Sequence, residues 1–281
     1  MKIANTIPSL KTIIHQWQQQ GLRIGLVPTM GYLHAGHIEL VKQAKDSCDK
    51  VVVSIYVNPL QFNQASDLEA YPESLEDDKQ KLMAVQTDCL FYPDTQMMYP
   101  HGEGVTTKIC VPGITAELEG EHRPGHFDGV STVVNKFFNL VQPQVAFFGE
   151  KDYQQLLLIK KMVSDLNMAV QIQSVPTYRE PDGLAMSSRN SRLSEEQRIQ
   201  AAQLYQTLKI VAKQLKRGQL PLADIESQAM AQLLAAGFQP EYVSVRDCSS
   251  FKPPKNNLGK CMVLAAAQLG NVRLIDNLIV D

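Results

Sequence analysis

The chain has 281 residues, 44% of them apolar and 20% charged, with a formal net charge of −2. That length allows a large domain followed by a smaller one, and the charge offers no basic excess that would point to a nucleic-acid partner. No apolar run approaches the roughly 20 residues of a membrane span, and no apolar stretch precedes a small-residue cleavage site, so neither a membrane nor a signal peptide is expected.

From the N-terminus, Leu22 to Val27 reads as a buried strand and Ile38 to Cys48 as a helix, with apolar residues at Ile38, Val41, Ala44 and Cys48. Val51 to Val57 is a continuous, mostly β-branched run, typical of a strand covered on both faces. Strand, helix and strand in that order form a βαβ unit with parallel strands. The alternation continues through a helix over Leu75 to Val85, a strand at Cys89 to Tyr92, a helix over Thr132 to Val141 and a strand at Val145 to Phe148. A helix over Tyr153 to Leu166 and a strand at Val170 to Val175 complete it. This repetition predicts an α/β fold with a doubly wound parallel sheet in residues 1–176.

After Pro176 the pattern changes. Ser194-Glu195-Glu196-Gln197 is a capping box opening a long helix, and Leu222 to Ala236 is a second helix. Short strands follow at Tyr242 to Val245, Met262 to Ala267 and Val272 to Ile275, which predicts a small α+β domain over 177–281. The cysteines, Cys48, Cys89, Cys110, Cys248 and Cys261, are scattered and never spaced as C-x-x-C. They predict reduced thiols in a cytoplasm, not a disulfide framework or a zinc site.

In open parallel sheets ligands sit beyond the carboxyl ends of the strands. The first such end runs Pro28-Thr29-Met30-Gly31-Tyr32-Leu33-His34-Ala35-Gly36-His37 into a helix start, where N–H groups and the helix dipole bind phosphate. Gly31 and Gly36 admit a ligand close to the backbone. His34 and His37, three apart, share a face and can donate to phosphoryl oxygens. Two readings compete: that one histidine caps or packs while the other is solvated, and that the two form a metal pair, for which no third ligand lies nearby. After the next strand, Asn58 and Gln61 offer hydrogen bonds to a hydroxyl or carboxylate, while an ordinary Asn-Pro turn explains Asn58 equally well.

At the third end, Gly149-Glu150-Lys151-Asp152, Lys151 supplies a point charge for phosphate, whereas Asp152 with Gln155 also fits a helix cap. Met186-Ser187-Ser188-Arg189 can fold over a triphosphate or serve as a polar linker. Glu119 to Val130 is rich in glycine, proline and histidine and reads as a constrained loop; spacing gives its residues no role.

Taken together and in order, P-T-M-G-Y-L-H-A-G-H, V-N-P-L-Q-F, R-P-G-H-F-D-G-V-S-T-V-V, F-F-G-E-K-D-Y-Q-Q and G-L-A-M-S-S-R-N resemble the pantoate–β-alanine ligases. The resemblance runs through most of the N-terminal two-thirds and implies a Rossmann-like body similar to class I aminoacyl-tRNA synthetase cores, with a C-terminal lid. It implies that pantoate attacks the α-phosphate of magnesium-bound ATP, and that β-alanine then displaces AMP from pantoyl adenylate. No tightly bound organic cofactor is implied, and the assembly would be a homodimer. Thr29, Met30, Gly31, Tyr32, Leu33, Ala35 and Gly36 would contact ATP together with the catalytic His34 and His37, the latter matching the family's proton donor. Gly149, Glu150, Lys151 and Asp152 would bind nucleotide, and Lys151 would also meet the phosphate during transfer. Gln61 and Gln155 would hold pantoate, with Asn58 beside them. Met186, Ser187, Ser188 and Arg189 match the family's K-M-S-K-S-like loop. Tyr178, also at the nucleotide, departs from the small aliphatic residue usual there.

Overall fold

A computed structural model describes residues 1–254 and 260–280, in two compact units, Met1–Pro176 and Thr177–Asp281. The first unit begins with β1 (Lys2–Ala4), α1 (Ile7–Gln19), β2 (Ile24–Thr29), α2 (Ala35–Ser47) and β3 (Lys50–Ile55). It continues with the short α3 (Ala65–Glu69), then α4 (Leu75–Ala84), β4 (Cys89–Phe91), α5 (Thr95–Met98) and α6 (Glu119–His122). It closes with α7 (His126–Val141), β5 (Val145–Gly149), α8 (Tyr153–Asp165) and β6 (Gln171–Val175).

Six strands form one sheet in the order β1-β4-β3-β2-β5-β6, every neighbouring pair parallel. The alternation of side chains along each strand divides the core between the two faces. Leu26, Val52, Phe91, Ala146 and Phe148 pack with Ile14, Trp17, Phe137 and Leu158 of α1, α7 and α8. Val27, Val53, Leu90 and Phe147 pack on the other face with Leu40, Val41, Ala44 and Leu82 of α2 and α4. The doubly wound sheet expected from the strand–helix alternation is the observed fold.

Strand order reverses between β2 and β5. β2 pairs with β3 along its whole length, from Ile24 to Thr29, but meets β5 only at Gly25 and Leu26. Pro28 brings no N–H to a ladder, and the carboxyl ends of β2 and β5 are left unzipped. This is the switch point at which doubly wound sheets bind ligands.

Several elements differ from the sequence reading. α7 starts at His126, six residues before the expected Thr132, so part of the presumed loop is helix. Gly125 at its start is left-handed (φ 80°). Gly129, within its first turns, is required because a Cβ there would collide with the Leu60 carbonyl. The expected long helix after Ser194 is two helices, α9 (Glu195–Ala201) and α10 (Gln203–Arg217), tightening at Ala202 (φ −61°, ψ −21°). The Ser194 and Gln197 capping box is present.

The second unit adds α11 (Leu222–Ala235) and an antiparallel sheet of β7 (Gln239–Asp247), β8 (Cys261–Leu269) and β9 (Val272–Val280). Leu204, Leu208 and Val211 of α10 and Ile225 and Leu233 of α11 join Val245, Val263 and Leu274 of the sheet in its core. Among the described residues no helix is long and apolar enough to cross a membrane.

Candidate active site

The segment leaving β2 is held by its own side chains. Thr29 Oγ1 donates to the Ser54 carbonyl of β3 (2.8 Å) and accepts from Gly31 N (3.2 Å). Tyr32 N and Leu33 N donate to the two oxygens of Asp78 on α4, at 2.8 and 2.7 Å. Sequence reasoning offered the N–H groups of the helix start to phosphate. Ahead of that start, the N–H groups of Gly31, Tyr32 and Leu33 are turned onto Thr29 and Asp78, so any contact these three make with a ligand uses other atoms.

His34 is the N-cap of α2. Its Nδ1 accepts from Gly36 N (3.2 Å), and His34 N donates to His37 Nδ1 (3.3 Å), a capping box built from two imidazoles. The ring centroids lie 4.0 Å apart, with the planes tilted by 34°. Since each Nδ1 accepts a backbone hydrogen, the ring proton of the neutral form sits on Nε2. Burial is the main cause that lowers His34 to a pKa of about 2, helped by its neighbour His37 and by Lys151 and Lys81. His37 is lowered to about 4, again chiefly by burial, with Asp152 opposing and Lys151 and Lys81 assisting. Both rings are therefore neutral Nε2–H donors at neutral pH.

Lys151 lies in a single 3-10 turn, Glu150–Asp152, between Gly149 at the end of β5 and the start of α8. Its charge reaches both imidazoles across the switch point. The cap expected of Asp152 is not formed: Asp152 precedes α8 without a side-chain cap bond and stays exposed, its charge acting on His37.

The turn after β3 is also braced. Asn58 is buried, donating from Nδ2 to Gln61 Oε1 (3.0 Å) and to the Gly129 carbonyl (3.1 Å), while Tyr99 Oη donates to Asn58 Oδ1 (2.7 Å). With its Oε1 occupied, Gln61 points Nε2 at Met30 Sδ, 2.9 Å away. His126 Nδ1 donates to the Gln61 carbonyl (2.7 Å) and Arg123 Nη1 donates to His126 Nε2 (3.1 Å). A carbonyl only accepts and a guanidinium only donates, which fixes the tautomer. Burial, then Arg123, holds His126 down at about 3. Arg123, His126 and Gly129, to which the sequence assigned no role, thus shape the Gln61 turn. On α8, Gln155 is partly exposed, whereas Gln154 is buried and bonded to Glu119 N and to the carbonyls of Ile114 and Glu117.

In the second unit the Met186–Arg189 run is not an open linker. Arg179 and Ala185 form a β-bridge, Met186 N donates to the Tyr178 carbonyl (3.0 Å), and the Tyr178 side chain is exposed. Arg179 anchors this hairpin through a bidentate pair with buried Asp276 (2.7 and 2.9 Å) and stacks 3.7 Å from the Tyr205 ring. Ser187 caps the following turn, accepting from Arg189 N at 3.3 Å, and Ser188 is buried.

Two strand ends therefore present neutral imidazole donors and an ammonium to one crevice, with oriented amides beside them, an arrangement that suits a phosphate next to a carboxylate. Comparison with known proteins gives the family. The model of the family described as pantoate-beta-alanine ligase matches residues 2–279. The pantothenate synthetase of Pseudomonas putida is 50% identical over 278 residues, 99% of this chain and 97% of the relative. That of Hahella chejuensis is 50% identical over 272 residues, 97% and 96% of the two chains. The crystal structure of pantothenate synthetase from Thermus thermophilus superposes with a TM-score of 0.91 at 41% identity, covering 99% of both chains. The pantoate-β-alanine ligase of Francisella tularensis, solved with β-γ ATP and β-alanine, gives 0.85 at 36% identity over 99% and 97%. With matches spanning both units at these identities, this chain belongs to the pantoate–β-alanine ligase family.

Proposed function

We propose that this enzyme condenses pantoate with β-alanine at the expense of ATP, through a pantoyl adenylate, releasing pyrophosphate and AMP. One observation carries the reading. Gln61, the candidate carboxylate-side amide, touches Met30 of the phosphate-side loop at 2.9 Å, and attack of a carboxylate on a phosphate needs the two groups side by side.

A pantoate carboxylate oxygen forms a bond to the α-phosphorus while the bond to pyrophosphate breaks. Charge builds on the phosphoryl oxygens, where the Nε2–H groups of His34 and His37 and the Lys151 ammonium serve as fixed donors, each worth on the order of 3 kcal/mol. Gln61 and Gln155, with Asn58 behind Gln61, hold pantoate. The β-alanine amine then attacks the acyl carbon, and AMP leaves with the former carboxylate oxygen. Magnesium would enter with ATP as part of the substrate and would offset the charge of its phosphates.

Thr29 to Gly36, Gly149, Glu150 and Asp152 line the nucleotide, and the Tyr178 backbone and Met186 to Arg189 complete its binding. We assign the first unit the role of catalytic body and the second that of a lid, since an adenylate must be kept from water. The reading includes a homodimer in the cytoplasm; the five unbridged cysteines fit a reducing compartment.

Pantoate labelled with 18O in its carboxylate tests the central step. AMP carrying one 18O, formed only with ATP and pantoate present and released on adding β-alanine, is the expected result. ADP and labelled phosphate would replace the adenylate with an acyl phosphate and remove the reading. Sedimentation of the intact protein at twice the 31.3 kDa chain mass checks the dimer.

A further inference from the structure

Between β2 and α2 the backbone doubles back, with φ at +83° in Gly31 and +50° in Tyr32. Such a turn gathers successive N–H groups into a concavity that suits an anion. Here an anion of the chain itself fills it. The Asp78 carboxylate, 1% exposed, takes Tyr32 N and Leu33 N on separate oxygens, reaching back 46 and 45 positions from α4. A non-glycine residue in the left-handed region costs on the order of 1 kcal/mol or more and persists only where its surroundings hold it. The two bonds to Asp78 are such a hold.

The grip has a second part. Lys81, one turn further along α4, donates to the Leu33 carbonyl at 2.7 Å and pairs with Asp77 at 2.6 Å. Leu33 is thus fastened at its N–H and its C=O by the same helix. Little slack remains, because a Cβ on Gly31 would come within 3.2 Å of Asp78 Oδ2 and 3.0 Å of Ile55 Cγ2. Leu33 leads directly into His34, whose extended backbone (φ −122°, ψ 176°) sets the capping box that orients both imidazoles. No other segment between β2 and α2 separates the clamp from the histidines.

Resting on the function proposed above, we propose that Asp78 is a positioning residue for adenylate formation. By filling the loop's own anion site from α4, it fixes Leu33 and, through it, the places of the His34 and His37 donors. It touches no substrate. A displacement of about 1 Å at a reacting group can cost 100-fold in rate, so the effect belongs to the first half-reaction.

Asp78→Asn keeps the shape but sets an NH2 against one of the two backbone N–H groups. Expected are a folded protein, a fall of roughly 10- to 100-fold in pantoate-dependent pyrophosphate release, and shifted imidazole 15N resonances of His34 and His37. The second half-reaction, from supplied pantoyl adenylate and β-alanine, should keep its wild-type rate. Wild-type adenylation with unchanged histidine spectra would overturn the proposal, and so would equal loss in both half-reactions, the mark of a general structural role. Should Asp78→Asn fail to fold, Lys81→Met, which removes the donor to the Leu33 carbonyl along with the exposed pair to Asp77, is expected to slow adenylation alone; an unaltered rate refutes the clamp. A wild-type enzyme that makes no AMP would remove the proposed function instead, while the histidine spectra still read the hold of Asp78 on the loop.

Discussion

His34 and His37 cap one helix together: His34 Nδ1 accepts from Gly36 N, and His37 Nδ1 accepts from His34 N. The backbone thereby dictates which nitrogen of each ring carries hydrogen. A neutral imidazole donates a hydrogen bond but delivers no proton easily, so in the proposed reaction the two rings would act as hydrogen-bond donors to phosphate, not as imidazolium acids.

The same relationship sets a pH dependence of stability. The unfolded histidines take up protons near 6.5, whereas folded His37 does so only near 4 and folded His34 near 2. Between those values the unfolded state binds more protons, so stability rises with pH and falls as pH drops below about 6.5. Urea midpoints at pH 7.5, 6.0 and 5.0 should decline in that order, and His37→Gln should flatten the decline. A midpoint independent of pH would contradict the neutral pair.

Substituting the donors should separate chemistry from folding. His37→Ala and Lys151→Ala are each expected to slow adenylation by roughly 100-fold or more, with the far-ultraviolet circular dichroism of the wild type. Pyrophosphate release close to the normal rate in either variant would strip that residue of its role.

Tyr99→Phe probes the amide network at a distance from substrate. Loss of the hydroxyl leaves Asn58 Oδ1, in a side chain 1% exposed, without its donor, a cost of about 1 to 3 kcal/mol. Freed Asn58 no longer fixes Gln61, so the KM for pantoate should rise while the KM for ATP holds. Denaturation and initial-rate measurements report the two effects separately; a variant with both unchanged would show that the network does not orient Gln61.

In the second unit, Arg179→Ala leaves Asp276, 4% exposed, as a buried charge without its guanidinium. Removal of one partner of such a pair costs roughly 3 to 5 kcal/mol, and the hairpin bearing Met186 to Arg189 loses its anchor. Hydrogen exchange of the 177–193 amides should accelerate. Protection equal to the wild type would mean that the pair is not what holds the hairpin.

Much of this was legible in the residues because the relevant signals are local. The β-branched Val51 to Val57 run, the alternation of strands with helices, and the glycine and histidine spacing before α2 led to the sheet and its crevice. Local matching also misled. Asp152 and Gln155 fit a capping pattern, and Asp152 does stand at the N-cap of α8, but at φ −93° and ψ 60°, at the end of a 3-10 turn, its side chain makes no cap bond. The glycines near His126 read as loop, whereas Gly129 is helical and small because Leu60 presses on it. Asp78 was invisible for a different reason: an acid in the first turns of a polar helix looks like a dipole partner. Nothing in sequence ties it to amides 45 positions earlier.

The unzipping of β2 from β5 has a consequence for how the protein is made. Ile24 N bonds to Gln144 Oε1 across 120 positions, and Gly25 and Leu26 find Val145 and Ala146 at a similar remove. At about 5 to 20 residues per second, a nascent β2 waits roughly 6 to 24 s on the ribosome for that neighbour. Until then it is an apolar edge strand, open to wrong partners, and closure over so long a loop is slow. The crevice that holds the chemistry is thus among the last features of the first unit to assemble, and the exposed edge of β2 is where a chaperone would be needed.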